Sequence, residues 1–155
     1  MKLRLVALGH RMPRWVSDGY GEYAKRLPRE YALELVELKP EARERGRSVA
    51  QMLRAEAARI DAACAGFRVI ALDERGAAWT TADLAERLRR FRAGGDAVAF
   101  VVGSADGLDP AVKANAAAVV AVSAMTLPHG LVRVLLAEQI YRAATLVAGH
   151  PYHRV

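Results

Sequence analysis

The chain has one cysteine, Cys64, in its 155 residues. A disulfide framework needs an even set of thiols, and a cysteine metal site needs several, so neither is expected. Long apolar runs are also missing. Each hydrophobic stretch is broken by Arg or Glu before it reaches the roughly 20 residues that span a bilayer. The opening MKLRLVALGH carries Arg4 inside its apolar run and has no small-residue cleavage site, so it reads as a strand rather than a secretion signal. A cytoplasmic protein without a membrane partner is the resulting expectation. No G-x-x-x-x-G-K-[ST] occurs, and no G-x-G-x-x-G follows the first apolar run, which removes the common phosphate-loop and dinucleotide fingerprints. Ser104 follows an apolar run but lacks the G-x-S-x-G frame of a hydrolase nucleophile. His150 and His153 are spaced H-x-x-H with no carboxylate close in sequence, so no metal site is expected.

What the chain does have is a core and a charge. Hydrophobic residues make up 53%. A single domain of this length buries roughly 68–70% of its unfolded surface. The formal net charge is +6, which favours a polyanionic partner such as RNA, whereas the arginine-rich make-up of the cations fits a GC-rich coding bias equally well. Arg11, Arg14, Lys25 and Arg26 are basic positions open to that use or to plain solvation.

Strand-like runs alternate with segments of helical period. Lys2–Gly9, Tyr31–Leu38, Phe67–Asp73, Asp96–Gly103 and Ala117–Ser123 read as strands, with Leu3, Leu5 and Ala7 on one face of the first and Val6 and Leu8 on the other. Trp15–Leu27, Arg47–Ala63, Thr80–Phe91, Asp109–Asn115 and Pro128–Ala148 read as helices. Val49, Met52, Leu53, Ala57 and Ile60 form the inward stripe of the second. Thr80 or Thr81 is placed to cap the third, and Asp109 before Pro110 the fourth. The order predicts a single α/β domain with a mostly parallel sheet and helices on both faces. Lys39–Ser48 reads as a solvated loop.

Ligands of such sheets sit beyond the carboxyl ends of the strands. Three loops fall there: LDERG from Leu72, GSADGLDP from Gly103, and VSAMTLPHG from Val122. The first reads as a turn. The last is apolar yet irregular, so its backbone amides need partners, either a purine enclosed by Met125 and Leu127 or a second subunit. The final helix is apolar nearly all round, which suggests burial against a second copy. Glu138 and Arg142 are spaced for an i,i+4 ion pair. The tail that follows packs His150, Tyr152, His153 and Arg154 together, an unusual density of chemistry for a chain end.

VGSADGL, VSAMTLPHGLVRVLLAEQIYRA and HPYHR, with MKLRLVALG, MPRWV, EYAKRLP and LDERG, resemble the ribosomal RNA large subunit methyltransferase H family along the whole chain. One departure is visible: the family commonly has two glycines where this chain has Gly103–Ser104. The resemblance implies a SPOUT-class enzyme, a trefoil knot within a cofactor region of about residues 68–155, a homodimer, and S-adenosylmethionine as methyl donor. It implies methylation of N3 of a pseudouridine in 23S rRNA, on the assembled 70S ribosome. Carried over residue by residue, the cofactor contacts fall on Leu72, Gly103, Val122, Ser123, Ala124, Met125, Thr126 and Leu127. His153 is the candidate base, Arg154 and Arg142 the candidate anion stabilisers, and Tyr152 the candidate stacking group. Two other readings stay open: a ribosome- or RNA-binding factor without activity, and a SPOUT enzyme acting on tRNA.

Overall fold

A computed structural model describes residues 1–150. Five strands, β1 (Lys2–Leu8), β2 (Ala32–Leu38), β3 (Arg68–Ala78), β4 (Val98–Val102) and β5 (Ala118–Ala121), form one sheet in the order β2-β1-β4-β3-β5. Every pairing is parallel. The helices between them are α1 (Arg14–Ala24), α2 (Val49–Ala63), α3 (Thr81–Ala93), α4 (Pro110–Asn115) and α5 (His129–Val147).

The alternation within β1 divides the core in two. Leu3, Leu5 and Ala7 pack with Phe100, Leu88, Leu136 and Ile140 under α1, α3 and α5. Val6 and Leu8 pack with Ala57, Ile60 and Val112 under α2 and α4. Helices thus cover both faces, as a parallel sheet requires. Every residue of β4 is buried, so this strand lies at the centre.

Local signals set the helix starts. Thr80 caps α3: its side chain accepts from the Asp83 amide, while the Asp83 carboxylate accepts from the Thr80 amide. Ser48 and Gln51 repeat the box at α2. Asp109 caps α4 ahead of Pro110. Replacing Thr80 with alanine removes one half of its box, and urea denaturation should show a loss of about 1 kcal/mol.

Two expectations need correction. The LDERG segment is not a simple turn. After a register shift between Leu72 and Ala77, β3 resumes and pairs Ala77 and Ala78 with Val120 and Ala121 of β5. Gly76 makes this possible, because a Cβ there would come within 2.6 Å of the Val120 backbone. On α2, Val49 is 48% exposed while Glu56 is buried. Glu56 shares the face of Met52 and Ile60, and its carboxylate accepts from the Glu41 amide and the Ser104 hydroxyl, each at 3.0 Å. The 39–48 segment is a mostly exposed loop, as its polar composition predicts, and ion pairs of Glu41 with Arg47 and Arg59 and of Arg43 with Asp106 hold it in place.

Candidate active site

β3, β4 and β5 deliver their following loops to one end of the sheet. There Leu72, Gly103, Val122, Ser123, Met125, Thr126 and Leu127 line one cavity of about 440 Å³. That volume falls in the range of a small-molecule site. Ala124 lies in the same loop but is not on the wall, and Met125 is 75% exposed at its rim.

The loop after β4 is folded tightly on itself. The Gly107 amide donates to the Ser104 carbonyl at 2.9 Å, and a Cβ on Gly103 would stand 2.5 Å from the Gly107 carbonyl oxygen. The Ser104 hydroxyl donates to Glu56 Oε2 at 3.0 Å. The loop after β5 is held by short links: Thr126 Oγ1 donates to Glu74 at 2.7 Å, and the Met125 amide to Ser123 Oγ at 3.0 Å. Asp73 and Lys113 form an ion pair of 2.9 Å on the cavity wall. A hydrogen bond from the Arg75 amide, and then Lys113, hold the Asp73 carboxyl below the usual carboxylate range.

A second cavity, of about 600 Å³, adjoins the first and shares Leu72 and Val122 with it. It runs along α3 and α5 and is lined by Trp79, Thr81, Gln139 and Arg142. Arg142 donates to Glu138 Oε1 from Nε and Nη2 at 2.9 and 2.6 Å, the i,i+4 pair its spacing predicts. The structure therefore brings Arg142 to the edge of the loop cluster. Tyr152, His153 and Arg154 lie outside the described residues.

Sequence reasoning missed the most buried charge at this end. Arg133 of α5 is 1% exposed and contacts Glu37 of β2, Gly9 after β1 and His129 one turn earlier. His129 in turn reaches the Gly103 carbonyl oxygen at 2.9 Å. The signal was a single cation on the inner face of an otherwise apolar stretch, HGLVRVLL, four residues after a histidine. Among the described residues, no group of three His, Cys, Asp or Glu side chains is placed to hold a metal. No described helix is long and apolar enough to cross a membrane.

Comparison with known proteins agrees with this geometry. A family model described as "Predicted SPOUT methyltransferase" matches residues 1–153. The chain is 54% identical, over 99% of both chains, to a protein of Nitrosospira multiformis named ribosomal RNA large subunit methyltransferase H. It is 55% identical, over the full length of both, to a protein of that name from Ralstonia nicotianae. Solved structures share the fold at low identity. A probable methylase family protein from Haemophilus influenzae superposes with a TM-score of 0.60 at 14% identity, covering 99% of this chain and 70% of that one. A putative RNA methyltransferase from Bacillus anthracis gives 0.52 at 15%, covering 99% and 98%.

Proposed function

We propose, from the premise that this chain belongs to the SPOUT methyltransferase family and to its ribosomal RNA large subunit methyltransferase H members, that it methylates N3 of a pseudouridine in 23S rRNA. It does so in the cytoplasm, as a homodimer acting on the assembled 70S ribosome, with a trefoil knot within residues 68–155. The observation that carries the reading is the 440 Å³ cavity at the carboxyl ends of β3, β4 and β5.

The cavity fits S-adenosylmethionine in size and in kind, with apolar walls at Leu72, Val122 and Leu127 and backbone groups at Gly103 and Ser123. Bound there, the donor would supply a methyl group on an activated sulfonium. The chain's own task is alignment and proton handling. N3 of a pseudouridine is an imide nitrogen that must lose its proton before it attacks well. His153 serves as the base that takes that proton. Arg142 and Arg154 stabilise the negative charge that develops on the ring. An arginine suits this role because it stays charged at any working pH. Tyr152 stacks on the unpaired base. The outer face of α5, with half-buried Leu131 and Leu135, packs against the second copy.

The test is methyl transfer from labelled S-adenosylmethionine to 70S ribosomes that lack the modification, with free 23S rRNA and tRNA alongside. Label at N3 of the pseudouridine with ribosomes alone is the expected result. Label on tRNA would redirect the substrate. Tight ribosome binding without label on any RNA would leave a binding factor.

A further inference from the structure

Arg133 sits where the ends of β1 and β2, the start of α5 and the loop after β4 meet. Its Nη1 donates to Glu37 Oε2 at 2.6 Å, and its Nη2 donates to the Gly9 carbonyl oxygen at 2.8 Å. Nη2 and Nε also approach His129 Nε2, at 2.9 and 3.3 Å. A guanidinium has only donors. The nitrogen that faces it must therefore present a lone pair, and the single proton of a neutral imidazole is left on Nδ1. That atom lies 2.9 Å from the Gly103 carbonyl oxygen, which can only accept. Arg133 thereby selects the tautomer, and the tautomer selects the bond to the loop.

The restraint reaches further than one carbonyl. The peptide joining Gly103 to Ser104 is trans and planar, so fixing the carbonyl direction fixes the Ser104 N–H on the opposite side. The Ser104 hydroxyl is held independently by buried Glu56. A loop with two restraints on adjacent groups has lost its conformational freedom before any ligand arrives. Preorganisation of this kind raises affinity by lowering the ordering cost.

We propose that His129 is a positioning residue for methyl-donor binding, acting through its Nδ1–H bond to the Gly103 carbonyl in a tautomer set by Arg133. The proposal rests on the reading of this cavity as the S-adenosylmethionine site. Protonation of His129 would place a second N–H against the Arg133 guanidinium and break the relay, so the donor site holds together only around the neutral ring. The charged groups around the ring are already committed. Arg133 and Glu37 pair with each other. On the adjoining cavity wall Arg43 pairs with Asp106, Glu41 with two arginines, and Glu56 accepts from Ser104. Burial, and then the Arg133 charge, hold the His129 pKa below its ordinary value.

Two measurements on the full-length protein decide it. Imidazole ¹⁵N correlation spectra of the wild type at pH 7.5 should show His129 protonated on Nδ1; an Nε2–H tautomer overturns the proposal without any variant. Calorimetric titration with S-adenosylmethionine at pH 7.5 should show about tenfold weaker binding in His129→Ala. His129→Asn keeps a donor near the Nδ1 position, and it should recover most of that loss. Between pH 7.5 and 5.5 the wild type should lose affinity several-fold while His129→Asn stays within twofold. Wild-type binding with the same pH dependence in His129→Asn, or with no loss in His129→Ala, overturns the positioning role and leaves the donor site standing. Failure of the wild type to bind S-adenosylmethionine at either pH would instead remove the donor reading beneath it.

Discussion

Gly103→Ala should lose S-adenosylmethionine binding roughly hundredfold, a change of about 3 kcal/mol. The reason is space. The added methyl would lie 2.5 Å from the Gly107 carbonyl oxygen, 2.6 Å from its carbon and 3.0 Å from Leu108 Cγ. Two of these obstacles are backbone, so no rotamer change relieves them. The loop has to open, and opening draws the Gly103 carbonyl off His129 and the Ser104 hydroxyl off Glu56. Each of these bonds contributes about 1 kcal/mol, and Glu56 would be left buried with one partner fewer. The unfolding midpoint in urea should therefore fall together with the affinity. A variant that binds the donor normally would show that the loop can widen at little cost, and that its tight turn is not what shapes the cavity.

Arg133→Met should cost about 3 kcal/mol of folding stability, the largest loss expected from a single side chain at this end of the sheet. Methionine fills much of the volume but offers no donor. The Gly9 carbonyl oxygen would then stay buried and unpaired, at a desolvation cost of about 1–3 kcal/mol, and half-buried His129 Nε2 would lose its donor as well. Glu37 is the lesser sufferer, because its side chain is 40% exposed and water can replace the lost partner. Glu37→Gln keeps an acceptor for Arg133 and should cost well under half as much. Urea denaturation of both variants checks the ranking. Equal losses would mean that the ion pair, rather than the bonds to Gly9 and His129, carries the stability.

These two positions also show where reading the sequence succeeds and where it stops. Gly103 was legible because a glycine after an apolar run, at the carboxyl end of a parallel strand, is a local pattern. Period-two alternation made β1 legible down to its two faces, and the Asp109–Pro110 pair announced the start of α4. Arg133 was not legible as a junction. Its partners Gly9 and Glu37 are distant in sequence, and nothing near them marks them as one site. Glu56 failed for the same reason: its partner Ser104 belongs to a strand end that helical periodicity cannot see. LDERG misled because polar residues and a glycine describe a turn and a shifted strand equally well, and pairing with β5 decides between them. The family resemblance singled out the Leu72, Gly103 and Val122–Leu127 positions. The structure gathers all of these but Ala124 around one cavity, which is a statement of geometry.

The position of β1 in the sheet has a consequence for how the molecule is made. β1 precedes the other four strands of the sheet in the chain, yet its two neighbours are β2 and β4, with Leu3 beside Leu33 on one side and Val98 on the other. At the usual elongation speed of about 5–20 residues per second, its second edge waits roughly 5–20 s for a partner. Throughout that interval a strand whose inner residues end fully buried offers open hydrogen-bonding groups to any neighbouring nascent chain. Such late, non-local closure also slows the search for the native pairing. Production of this protein is therefore governed by the emergence of Val98–Val102: a chain halted before that segment has no partner for the second edge of β1 and is left as an aggregation-prone fragment.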